Sequence, residues 1–145
     1  MALAVEFKPT GDARVDRLLE QFVLRLARFA RGGRYTGRMD KFKRYKKFLM
    51  FVGERYGVQD IRGIQPRHVA AYIRYRREMG IGDKAISNDV SVIRYWHGQI
   101  PWRRYDLPEN KVLFELEARL DDKTFREEIR EKCYRNVRKR RQRPV

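Results

Sequence analysis

Apolar residues in this chain recur at steps of three and four, and glycine or proline separates one such run from the next. That spacing is the period of a helix with one face turned inward, and no segment alternates residue by residue as a half-buried strand would. Five or six helical segments follow from it, with no internal repeat, and the predicted fold class is all-α, a compact bundle of five to six helices.

The first helix spans about Asp12 to Arg31, with Val15, Leu18, Leu19, Phe22, Leu26 and Phe29 inward and Gly32-Gly33 as its stop. The second runs from Thr36, a suitable N-cap, to Gly57, on a stripe of Met39, Phe42, Tyr45, Leu49, Val52 and Tyr56. Thr36, Lys43, Arg44 and Lys47 project to its other side, and Phe51 falls outward among them. Pro66 opens a third helix carrying Val69, Tyr72, Ile73 and Met79 and closing at Gly80. Asp83 caps a fourth, with Ile86, Val90, Ile93, His97 and Ile100 inward and Lys84, Ser87, Asn88, Ser91 and Arg94 opposite. Pro108 opens a fifth with Val112, Leu113, Leu116 and Leu120 inward. Asp121-Asp122 breaks or re-caps it before a last amphipathic segment holding Phe125, Ile129, Cys133 and Val137.

Charge narrows the choice of partner. The 145 residues hold 35 Lys and Arg against 19 Asp and Glu, a net +16, and such a surplus selects polyanions. It is uneven: residues 41–80, mostly the second and third helices, hold eleven cations against three acids. Arginine outnumbers lysine 25 to 10, which suits two-pronged contacts to phosphate or guanine. Lys84, Asn88 and Ser91 bring a cation, an amide and a hydroxyl to one helix face, although an ordinary solvated face has the same look. Arg67 and Arg74 of the third helix join the candidate contacts.

Other classes fit poorly. No apolar run nears the roughly 20 residues of a membrane span, and Met1 to Phe7 is too short for a secretory leader. A single cysteine, Cys133, permits no internal disulfide and, with His68 and His97 alone, no structural metal site, so no cofactor or metal is expected. The expected compartment is reducing, cytoplasmic and nucleoid-associated. No phosphate loop and no paired-histidine motif exists. Asp121-Asp122 and Glu127-Glu128 read as caps and local partners for arginine, His97 as a hydrogen-bonded core histidine, and Cys133 as a packed hydrophobe despite Lys132 beside it. Trp96 and Trp102 are expected in the core, though with Tyr95 and Tyr105 they could stack on bases. The run Arg138 to Arg141 suits a flexible phosphate-binding arm.

Three stretches carry a family resemblance: the aromatic-basic helix from Tyr35-Thr36 to Phe48-Leu49; Ile64-Gln65-Pro66-Arg67-His68-Val69-Ala70-Ala71-Tyr72-Ile73; and Gly80-Ile81-Gly82-Asp83-Lys84-Ala85-Ile86-Ser87-Asn88 leading into Ser91-Val92-Ile93-Arg94-Tyr95-Trp96. From Thr36 to about Asn110 the chain resembles the N-terminal core-binding (SAM-like) domain of phage integrases and other tyrosine recombinases. The resemblance implies a small helical bundle that clamps one side of duplex DNA. Its DNA-facing positions here would be Thr36, Lys43 and Lys47 on one helix and Lys84, Asn88, Ser91 and Arg94 on another. Gly82 and Ala85 stand where the family often has hydroxyl residues. The family's catalytic His-x-x-Arg is absent from the chain, so no tyrosine is assigned as a nucleophile and the segment is expected to be non-catalytic.

On this basis residues 1–33 form an N-terminal helix packed on or extending the bundle, 34–110 the DNA-binding bundle, and 111–145 a C-terminal amphipathic helix and basic tail. Double-stranded DNA is the expected partner, with self-association or partner contact through 112–137 as a further role. An RNA-binding or ribosome-associated protein and a protein-interaction adaptor are the alternatives.

Overall fold

A computed structural model of the protein describes residues 8–26 and 35–135, apart from the side chains of Tyr35 and Thr36. The elements are α1 (Ala13–Arg25), α2 (Tyr35–Tyr56), a 3₁₀ turn (Ile61–Gly63), α3 (Pro66–Glu78), α4 (Asp83–His97), α5 (Asn110–Ala118) and α6 (Lys123–Cys133). Among the described residues the only strand-like pairing is one isolated bridge, Tyr105 with Tyr134. The all-α bundle expected from the periodicity is what forms.

The helix ends show why the chain breaks where it does. Asp12 caps α1 by accepting from the backbone N–H of Arg14 and Val15. Asp122 caps α6 through Phe125 N–H at 3.0 Å, so the Asp121-Asp122 pair is a re-cap. After α3 the backbone turns left-handed at Gly80 (φ 82°), with Gly80 N–H donating to Arg77 O and Ile81 N–H to Arg76 O. This pair of bonds closes a helix on a glycine, because a residue lacking Cβ takes positive φ without strain. The cap of α4 is Gly82, not Asp83, which lies in the first turn where its charge meets the helix dipole.

Two apolar centres share α3. The larger gathers α1, α2, α3 and α4 around Phe22, whose ring lies 4.9 Å from those of Tyr45 and Trp96. Trp96 is buried there as expected, its indole N–H donating to Lys41 O at 3.2 Å. Contact between α1 and α2 is close at Gly53, where a Cβ would stand 2.9 Å from Val15 Cγ2. The smaller centre joins Ala70 of α3 to Leu116, Ile129 and Cys133 of α5 and α6. The apolar positions of the C-terminal segment are therefore used inside the chain.

Several positions differ from the helical-stripe expectation. Phe51 is buried, not outward, against Tyr72 and Tyr75, because α2 is gripped by α3 as well as by α1 and α4. Tyr56 and Met79 lie at helix ends, where no neighbour covers them fully, and are 40% and 54% exposed. Trp102 is 50% exposed in the turn after α4. Within the described residues α1 ends at Arg25. The expected Gly32-Gly33 stop, Phe29, Val137 and the Arg138–Arg141 run lie outside them.

Candidate nucleic-acid interface

The face expected to bind is built on α2 and α4, which pack against each other, with Arg76 of α3 at the groove they share. Lys43 and Lys47 are exposed one turn apart on α2, and Lys46 is half-buried beside them. With Arg44 and Arg76 they border a groove of about 530 Å³ whose other wall carries Ala85 and Asp89 of α4. On the solvent side of α4, Lys84, Asn88 and Ser91 are exposed on one strip, since their spacing returns each to nearly the same angle. The strip ends at Tyr95, over whose ring Lys41 of α2 places its ammonium 4.5 Å from the centroid. The lysines of α2 and the polar strip of α4 are thus neighbours.

Beneath them lies an ion cluster that periodicity did not reveal. Asp89 is 4% exposed and accepts from Arg44 Nη1 at 2.8 Å and from Arg76 Nε at 2.9 Å. Arg44 also donates to Asp40 at 2.9 Å, and both carboxylates hold the guanidinium more firmly protonated than usual. One buried acid therefore ties α2, α3 and α4 together. Together with Asp40, which also lines the groove, it offsets two of the five groove cations and leaves a net surplus of three. Buried Asp89 also helps push the phenol of Tyr72 up to about 12, after the larger effect of burial itself. The sequence offered little signal for it: Asp89 lies in a stretch, residues 81–110, where four cations face four acids.

The expected contacts do not all gather here. Lys43, Arg44, Lys47, Lys84, Asn88 and Ser91 come together; the side chain of Thr36 lies outside the described residues. Arg94 is turned away and donates to the carbonyls of Leu107 and Pro108 and to Asn110 Oδ1, holding the connection into α5. Arg74 donates to Glu117 O at 2.6 Å and fastens the end of α5 to α3. Arg67 sits over the Tyr56 ring and borders a different surface, with Lys123, Arg126 and Arg130 of α6.

The two histidines serve the fold. His68 Nδ1 accepts from Gln65 N–H at 2.9 Å at the start of α3, and burial pulls its pKa down to about 3. His97 Nε2 lies 2.6 Å from Tyr105 O, which makes it the donor, and burial lowers its pKa as well. Cys133 is buried, which raises its thiol pKa and makes it a packing residue. Among the described residues no group of three His, Cys, Asp or Glu is arranged to hold a metal ion, and no helix is long and apolar enough to cross a membrane.

A family model described as "Phage integrase, N-terminal" matches residues 15–100, from the first turn of α1 to just past α4. No curated protein matches the chain, and no solved structure does.

Proposed function

Because this chain belongs to the phage-integrase N-terminal (SAM-like) family and is a recombinase-related module, we propose that it binds duplex DNA through the α2–α4 face. The observation that carries this is the lysine surplus along the groove: Lys43, Lys46 and Lys47 stand over Asp89, whose charge is already matched by Arg44 and Arg76. Lysines that meet a phosphate backbone release the counterions condensed on it, and that release supplies affinity without sequence preference. Asn88 and Ser91, on the adjoining strip, can reach a base edge or a phosphate and are the candidates for preference.

Arg44 acts in this proposal as a brace. Its guanidinium is committed to Asp40 and Asp89, so it contributes field and rigidity more than a contact. Arg74 and Arg94 brace the fold elsewhere, and Arg67 belongs to another surface. Only the family's N-terminal, non-catalytic domain is matched, and we propose that the segment is without catalytic activity of its own.

Gel shifts on duplex DNA over a salt series provide the test. With about six phosphates neutralised, log K is expected to fall against log salt with a slope near −5. Lys43→Glu and Lys47→Glu should weaken binding to every duplex, whereas Asn88→Ala should change the ranking of sequences more than the mean affinity. A flat salt dependence, or equal loss from both kinds of variant, would refute the proposal.

A further inference from the structure

The groove between α2 and α4 opens into a second pocket. Lys47, Met50 and Arg76 line both the groove and a cavity of about 330 Å³ between α2 and α3. Positions 47, 50, 51 and 54 recur at steps of three and four along α2, so one side of that helix borders the cavity.

The two floors differ. Under the groove lies the Asp89 ion cluster, and under the pocket lie aromatic rings. Phe51 and Tyr72 are buried with their centroids 5.3 Å apart, and half-buried Tyr75 lies 4.9 Å from Phe51. Met50 and Met79 border the pocket with flexible side chains that can follow the shape of a ligand, and Met79 is 54% exposed. Arg55 is exposed and holds its guanidinium 5.1 Å from the Phe51 centroid and 5.8 Å from that of Tyr75. Around the lining Lys47, Arg55 and Arg76 stand against one acid, Glu54. An aromatic, cationic pocket joined to a row of lysines complements a ligand in which a flat ring and a phosphate are linked.

We infer that the α2–α3 pocket receives one unpaired base of the bound DNA, stacked against Tyr75 and the Arg55 guanidinium, while the phosphate of that nucleotide lies on Lys47. The inference rests on the duplex reading for the phosphates held at Lys43 and Lys46. A base already without its pair enters at small cost, whereas a paired one must first be taken out of the stack. The preferred substrate is therefore a duplex with an unpaired nucleotide, and stacking makes the identity of that base secondary.

Methionine-methyl NMR gives the test, because Met79 lines the pocket and not the groove. A duplex carrying one extra thymidine should shift the Met79 methyl signal through the ring current of the seated base. The fully paired duplex, and the same duplex with an abasic nucleotide in place of the extra thymidine, should leave that signal unmoved. In gel shifts the natural protein should prefer the extra-thymidine duplex to the abasic one by about tenfold. Tyr75→Leu, which keeps an apolar side chain, and Met79→Glu, at an exposed position, should each reduce this preference to within about twofold. Affinity of Tyr75→Leu for paired duplex should stay within about twofold of the natural protein. An unmoved Met79 signal, an equal shift with the abasic duplex, or a preference undiminished in Tyr75→Leu would overturn the inference. If paired duplex is still bound with the expected salt dependence, those results strike the pocket alone. A thymidine-dependent Met79 shift in a protein whose duplex binding ignores salt would uphold the pocket and refute the lysine row.

Discussion

Replacing Asp89 by asparagine removes one negative charge from beneath the proposed interface and barely changes volume. Asp89 is 4% exposed and accepts two charge-assisted hydrogen bonds, from Arg44 at 2.8 Å and Arg76 at 2.9 Å. Each such bond contributes about 1.5–3 kcal/mol, but the two losses are unequal. The Arg44 side chain is 29% exposed and retains Asp40, so water and the second acid offset much of its loss. The Arg76 side chain is 15% exposed and would face an amide in place of a carboxylate. The net cost is expected to be about 3 kcal/mol, or a fall of about 10 °C in Tm for a chain of this size. Asp40→Asn is the control: its side chain is 61% exposed, and its loss should cost less than about 1 kcal/mol. Thermal and urea unfolding followed by far-UV circular dichroism measure both. Below the transition, duplex affinity of Asp89→Asn should stay level or rise, because two guanidinium groups gain freedom beside the lysines. If Asp89→Asn costs no more than Asp40→Asn, the cluster is not what ties α2, α3 and α4 together.

Other perturbations separate folding from binding. Gly53→Ala should lose about 1–3 kcal/mol, because the new Cβ would lie 2.9 Å from Val15 Cγ2 and 3.1 Å from Val15 Cα. Gly37→Ala, in open space on the same helix, should gain up to about 1 kcal/mol; equal effects in urea melts would refute the tight α1–α2 contact. Arg94→Ala should cost about 2 kcal/mol in the same melts and leave duplex affinity near that of the natural protein. A large loss of binding in the folded variant would return Arg94 to the interface. Acid should destabilise the fold through His68, whose pKa is about 3 when folded against an ordinary 6.5. Its contribution is complete above the ordinary value and is lost as pH falls from there toward the folded one, about 2 kcal/mol by pH 5. His68→Gln keeps an acceptor for the cap and removes the titration, so an unchanged pH profile of Tm in that variant would contradict the assignment.

Periodicity made most of the fold legible, and the exceptions share a cause. Ile86, Val90, Ile93 and His97 are buried where the spacing put them, because α4 meets its neighbours across one broad arc. Phe51 was misplaced because a single stripe assumes one packing partner, and α2 has helices on two sides. Trp102 escaped because hydrophobicity says nothing about a left-handed turn that holds a ring outward. At the interface, counting charge located α2 and α3 but could not tell a phosphate-binding cation from a structural one. Arg74 and Arg94 look the same as Lys47 in sequence, yet they spend their donors on carbonyl oxygens. Asp89 was invisible for a related reason: a buried acid is tolerable only with its arginines in place, and those stand 45 and 13 residues away.

The central claim is that one flank of the bundle, α2 with α4, meets the duplex. Amide chemical-shift mapping during titration with a short duplex tests it most directly. Shifts are expected to concentrate at residues 40–47 and 84–95 and to leave α6, residues 123–133, unmoved, although α6 carries its own cations. Shifts centred on α6, or spread evenly over all the described helices, would contradict it.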